Sequence, residues 1–266
     1  MIDPFNGPKL VLNEGAKKHI DEFNTSEAEF FNAKPYTSVA EIDGKTGDLV
    51  HKVKLTTMPS DRLRYITYSA FNDLKNALDQ AVCAACLVLD GPKVIKNAYF
   101  PFAENPNDLA GMLKSDRYSD IPASLHPFLN GLEPYPTSDS YGGGDDILRS
   151  FGKVANPNKH QIPLSIGIQQ LSGAYSVKSL QLTHVTHFQD PFWDSAKNEI
   201  VIARTKPTGT CQYDLAMPFY ISLAEAGPLT SQPVSGVLGQ MASKVDRIIG
   251  GFEAETTRIL RERGAS

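Results

Sequence analysis

The segment from Asp61 to Leu89 constrains the fold more than any other. Leu63, Ile66, Ala70, Leu74, Ala77, Leu78, Ala81, Ala85 and Val88 recur there at three- and four-residue spacing, the repeat that lines one face of an α-helix. The stripe runs for about eight turns. No single short neighbour can cover it, so the rest of the chain must pack along it. Ser60 or Asp61 can cap its start behind Pro59, and Gly91-Pro92 stops it. Towards Cys83–Leu89 the helix becomes apolar all round, which predicts that this end is enclosed.

That apolar end contains a CxxC, Cys83 and Cys86. A redox pair usually sits at a helix start, where the dipole lowers the thiol pKa. At a helix end without a nearby cation, the two read as small buried hydrophobes. With Cys211 they make a sparse, odd set that suits a reducing compartment.

The flanking segments alternate between helical and strand periods. Leu10–Asn32 is predicted helical, with a break near Asn24-Thr25-Ser26. Tyr36–Asp43 and Leu49–Thr57 alternate with period two around Asp43-Gly44-Lys45-Thr46-Gly47-Asp48, a hairpin signal. Residues 92–143 are rich in Pro, Asn, Ser, Asp and Gly. Short apolar anchors recur in them, so this stretch is expected to wrap the helices, with short helices near Asp108–Lys114 and Pro122–Leu129. Gly142-Gly143-Gly144-Asp145-Asp146 leads into a helix over Ile147–Ala155. With two aspartates in place of a phosphate-binding lysine, it reads as a loop with an Asp N-cap. Tyr175–Phe188, Glu199–Lys206 and Tyr213–Leu223 are predicted strands. Pro233–Arg263 is a closing helix that Gly250-Gly251 is expected to kink.

This order gives an α+β fold, one antiparallel sheet (the early hairpin plus three later strands) packed on long helices. We expect one interwoven domain over 1–266. Within it, 10–165 form a helical core with hairpin and wrapped loop, 166–230 a β-rich part, and 233–263 the C-terminal helix. A chain of 266 residues with 41% hydrophobic residues buries enough surface to fold without a metal or disulfide. Its net charge of −4 argues against a general nucleic-acid or anionic-membrane surface. The N-terminus lacks the pattern of a signal peptide, and no apolar run is long enough to span a membrane. The expected setting is cytoplasmic, with no membrane partner and no cofactor.

Two polar segments could carry chemistry. On the long helix, Asn72, Asn76, Asp79 and Cys83 fall on one side, with Lys75 and Asp79 paired at i,i+4 and Gln80 beside them. The second is a knot, Asn156-Pro157-Asn158-Lys159-His160-Gln161, where Pro157 ends a regular helix and Asn156 and Asn158 suit turns. His160 has the pKa range of a general base. Lys159 and Lys75 could contact phosphate, and Asp79 completes the candidate catalytic set. Asn156, Asn158, Asn76, Gln80 and Gln161 are the candidate binding residues. The plainer alternatives are a surface helix pair for Lys75–Asp79 and a turn-stabilising histidine for His160. His184, His187 and Asp190 look like ligands, but residues three apart on a strand face opposite ways, so no metal is expected. His19, His51 and His126 show no partner in sequence.

Asp73-Leu74-Lys75-Asn76-Ala77-Leu78-Asp79-Gln80, Phe100-Pro101, Glu133-Pro134-Tyr135 and Asn156-Pro157-Asn158-Lys159-His160-Gln161 occur in this order. Over about residues 15–165 the chain thereby resembles a group of uncharacterised bacterial and phage-associated proteins. That group carries an Asn-Leu-Arg-Ser-Ala-Leu-Asp-His helix and an Asn-x-Asp-Lys-His-Arg knot. This chain departs from it at Asp73, Lys75, Gln80 and Gln161. The Asn156-to-His160 spacing is also similar to HEPN domains, helical modules that are often RNases. Ala155 stands where their arginine would be, and Lys153 falls at about that distance. The resemblance implies either an RNA-cleaving defence or toxin-like enzyme with His160 as base, or a relative that has lost catalysis. Loss of the family's charged residues favours a non-catalytic binding or regulatory module over that enzyme. A third expectation is self-assembly as a homo-oligomer through the apolar C-terminal helix.

Overall fold

A computed structural model describes residues 3–155, 165–170, 176–188, 193–194, 196–216, 218–224 and 226–264. The fold is α+β. Helix α1 (Asn6–Leu10) runs into a π-helical turn at Val11–Ala16 and then α2 (Lys17–Asn32). No break occurs near Asn24, because Thr25 returns its hydroxyl to the Asp21 carbonyl and stays inside the helix. Strands β1 (Tyr36–Ile42) and β2 (Leu49–Leu55) form the expected hairpin, seven residue pairs in unbroken register. Helix α3 (Asp61–Asp90) follows the predicted stripe. The Ser60 hydroxyl accepts the Leu63 N–H at its start, and Gly91 ends it at φ 79°. Residues Ala81, Val82, Ala84, Ala85 and Cys86 are buried, so its C-terminal end is enclosed as expected.

The long loop wraps the helices. It forms α4 (Pro106–Met112) and α5 (His126–Gly131), and buries Phe100, Leu109, Tyr118, Leu125 and Tyr135. Helix α6 (Asp146–Ala155) follows. The Asp145 carboxylate accepts the Leu148 N–H at 2.8 Å, the capping role expected after the glycines. The closing helix α7 (Val234–Gly264) is continuous. Gly251 does not interrupt it. The glycine lets the Phe128 ring close on the helix, since a Cβ there would stand 2.9 Å from Phe128 Cζ. Phe128 and Phe252 meet edge-on at 4.8 Å. Arg263 donates to the Leu89 carbonyl at 2.8 Å and so serves the C-terminus of α3.

The later strands are more finely divided than the sequence predicts. They are β3 (Ile166–Gln170), β4 (Ser176–Leu182), β5 (Val185–Phe188), β6 (Trp193–Asp194), β7 (Glu199–Thr205), β8 (Cys211–Ala216) and β9 (Phe219–Leu223). The predicted strand Tyr175–Phe188 is cut at His184, which turns the chain at φ 51°. Tyr213–Leu223 is cut at Pro218, which cannot donate to a ladder. The main sheet has the order β1-β2-β7-β5, with β6 also on β7, and is antiparallel throughout. This sheet is the early hairpin plus three later strands, as expected; the predicted Tyr213–Leu223 strand instead supplies β8 and β9 to separate ladders, β4–β8 and β3–β9.

Two apolar clusters result. The larger draws on residues from Phe5 to Ile259 and centres on α3 and α7. The smaller holds Val53, Ile168, Trp193, Ile200 and Ile202. Phe30 touches both, and Glu27 of α2 accepts the Ile221 N–H of β9 at 2.8 Å. The apolar face of α7 is spent on its own core, with Leu260 its one large exposed hydrophobe among the described residues.

Candidate functional site

Lys75 and Asp79 lie one turn apart on α3, and the structure brings them together. Lys75 Nζ donates to Asp79 Oδ2 at 2.6 Å, with the side chains only 10% and 17% exposed. The other oxygen, Oδ1, accepts the Phe100 N–H at 2.9 Å. From there the contact chain runs into the helical core. The Phe100 and Phe102 rings are 5.0 Å apart, and Phe102 meets Phe151 of α6 at 5.9 Å. Phe151 in turn stacks on Phe71 of α3. Gly152 leaves room for Phe102, as a Cβ would stand 2.5 Å from the ring.

Two more cations border this segment. Arg149 of α6 is buried and donates to the Glu104 carboxylate, and Lys153 Nζ lies 3.7 Å from the same group. The Arg149 bond holds the Glu104 carboxyl below its usual range. Lys75, Arg149 and Lys153 are each answered by a carboxylate. The seam therefore fastens the wrapped segment to α3 and α6, and its charges are spent on that closure.

Other candidate residues fall elsewhere. Asn76 and Gln80 are exposed, away from buried Lys75. Gln80 lies beside α1, where a Cβ on Gly7 would come within 3.3 Å of its Oε1. Asn156, Asn158, Lys159, His160 and Gln161 lie outside the described residues. Asp190 does too, while His184 sits in a turn and His187 in β5. Among the described residues no group of three or more His, Cys, Asp or Glu side chains is placed to hold a metal. Of the CxxC, Cys86 is buried as expected, while Cys83 is half-buried. Burial pushes the Cys86 thiol up to about 12, and Cys83 Sγ donates to the Ala98 carbonyl at 3.4 Å.

Sequence reasoning missed a pairing between helices. His19 Nδ1 of α2 lies 3.0 Å from Asp73 Oδ2 of α3. Gly15, in the π-helical turn, permits this approach, because a Cβ there would stand 2.8 Å from the same oxygen. Spacing within one helix carries no signal for a partner 54 residues away.

It also missed a cleft of about 750 Å³ between α2, the start of α3 and the chain leaving β2. Glu22, Thr25, Ser26, Glu29 and Phe30 line one side, and Thr57, Met58, Ser60, Arg62 and Leu63 the other. Met58 is 55% exposed. Arg62 is bound to Glu22 at 2.7 Å, so the second carboxylate, Glu29, leaves the cleft with a net negative charge. A shallower hollow at the tip of the long loop is lined by Thr137, Ser138, Asp139, Tyr141 and Gly143.

With this geometry in view, the chain matches no known protein family, no curated protein and no solved structure. No helix among the described residues is long and apolar enough to cross a membrane.

Proposed function

We propose that this protein is a non-catalytic binding or regulatory module. Its ligand site is the cleft between α2 and the start of α3, and its ligand is a cationic, partly apolar peptide segment. The cleft itself carries this reading. Its volume of about 750 Å³ falls in the range of ligand sites, about 300–1,000 Å³. Phe30, Met58 and Leu63 offer apolar contact, Thr25, Ser26 and Thr57 offer hydroxyls, and Glu29 offers a carboxylate beyond the one that binds Arg62. The buried Lys75–Asp79 pair, whose carboxylate also accepts the Phe100 N–H, supports a structural role for the α3 seam. The three unpaired cysteines support a reducing, cytoplasmic setting.

A calorimetric titration with a short Lys/Leu peptide tests the site. Saturable binding that Glu29→Gln weakens by about five- to tenfold is expected. Absence of binding, or binding unmoved by both Glu29→Gln and Met58→Glu, contradicts it.

The RNA-cleaving alternative draws support from one observation. Helix α6, which leads directly into the Asn156–Gln161 knot, packs on α3 through Phe151 and Phe71. An RNA-cleavage assay of wild type against His160→Ala separates the two readings. Cleavage that the substitution abolishes would favour the enzyme; equal rates, or none, would remove it.

A further inference from the structure

Among the described residues the main sheet has two unlike edges. At one, β5 is four residues long, and its pairing with β7 shifts register between Val185 and His187. Short strands and bulges are common ways of blunting an edge. At the other, β1 is seven residues long and pairs with β2 in unbroken register. It contains no proline and no lysine, and Glu41 is its single charge. Six of its seven residues are exposed, with Val39 half-buried.

The hairpin ladder fixes which backbone groups face outward. Asp43 N–H bonds the Asp48 carbonyl, and Thr56 N–H bonds the Pro35 carbonyl. Odd-numbered residues of β1 therefore bond β2, and Ser38, Ala40 and Ile42 point their N–H and C=O groups to the open edge.

We propose that a second copy of this chain pairs with this edge, β1 against β1 antiparallel, about a two-fold axis at Val39. The register follows from the sequence. Centring on Val39 sets Ser38 opposite Ala40, residues whose backbone N–H and C=O groups both face outward, and Ile42 opposite Tyr36, whose carbonyl can accept the Ile42 N–H while its own N–H stays on the Lys34 carbonyl at 2.7 Å. Tyr36 and Ile42 are 38% and 68% exposed in the single chain. Aromatic and β-branched residues are favourable cross-strand partners. Glu41 falls opposite Thr37, so no like charges meet. Glu41 is already neutralised by Lys52 and Lys54 on its own chain. The pairing is isologous and closes on itself. A seven-residue ladder buries less than the about 1,600 Å² of a standard interface, so the dimer forms and separates with concentration. This interface is independent of the cleft and does not use α7.

The test is register-specific cross-linking in the full chain. In an antiparallel non-hydrogen-bonded pair the Cα atoms stand about 4.5 Å apart, within disulfide reach. Val39→Cys should form a disulfide dimer on oxidation. Thr37→Cys, whose partner would be Glu41, should not. Ala40→Pro removes an outward N–H while leaving the β1–β2 bonds intact, and added to Val39→Cys it should abolish the dimer. Ile42→Lys does the same by side-chain charge. Sedimentation velocity should show wild type shifting from monomer to dimer with concentration and both variants remaining monomeric, with unchanged circular dichroism. Equal cross-linking of the two cysteine variants would overturn the proposal. A dimer that survives Ala40→Pro and Ile42→Lys would do so too, as would a wild type monomeric at every concentration.

Discussion

Asp79 holds Phe100. Its Oδ1 accepts the Phe100 N–H at 2.9 Å while its Oδ2 takes the Lys75 ammonium at 2.6 Å. One side chain thus anchors the start of the wrapped segment and neutralises a buried cation. Asp79→Ala should cost about 3–5 kcal/mol, because it strands Lys75 and leaves a backbone donor unmet. Asp79→Asn keeps an acceptor for Phe100 and should cost less. Urea unfolding of both variants, with Lys75→Met to close a double-mutant cycle, measures the coupling. A loss below about 1 kcal/mol for Asp79→Ala would show that the pair does not fasten the loop.

Glu27 joins α2 to β9 through the Ile221 N–H. Burial raises its carboxyl above the ordinary value, against the opposing pull of that bond and of Ser235. A raised carboxyl pKa means that the charged form is penalised in the fold. Acidification through the raised folded value therefore relieves a cost. Glu27→Gln keeps an acceptor without the charge. It should melt at or above wild type at neutral pH, with the gap closing as Glu27 protonates. Glu27→Ala orphans the Ile221 donor and should lose about 1–3 kcal/mol. Melting temperatures from pH 7 down through the carboxylate range check both.

Asp43 has the opposite sign. Its bond to Arg204, at 2.6 Å, is the largest of the effects that hold its carboxyl at about 2, against about 3.9 in an unfolded chain. The stabilisation is fully present above the unfolded value and is lost as pH falls through the folded one. Arg204→Met should therefore lower the melting temperature near neutral pH. The difference from wild type should shrink between about pH 4 and pH 2. A difference that stays constant across that window would contradict the assignment.

The sequence shows much of the fold and little of the site. The α3 stripe, the β1–β2 hairpin and the Asp145 cap are set by local periodicity and turn chemistry. All three appear where those rules put them. The later strands are less legible, because a single turn residue at His184 and a proline at 218 each reassign a half-strand to another partner. The i,i+4 spacing reveals Lys75–Asp79, but only the fold reveals that Phe100 completes it. His19–Asp73, Arg149–Glu104 and the α2–α3 cleft join residues far apart in the chain, so no spacing rule points to them. Gly251 shows the same limit. Its composition suggests a kink, and its function is to admit the ring of Phe128.

Met58 reports on the cleft beside α2, the proposed ligand site. Met58 is exposed at the rim, whereas Met241 is fully buried in the α7 core. With methionine methyl groups isotopically labelled, a Lys/Leu peptide is titrated while the methyl resonances are followed by NMR. A saturable shift of Met58 with Met241 unmoved is expected, with its midpoint moved to about five- to tenfold higher peptide concentration in Glu29→Gln. An unmoved Met58 at peptide excess, or a midpoint that Glu29→Gln leaves unchanged, would contradict the ligand site.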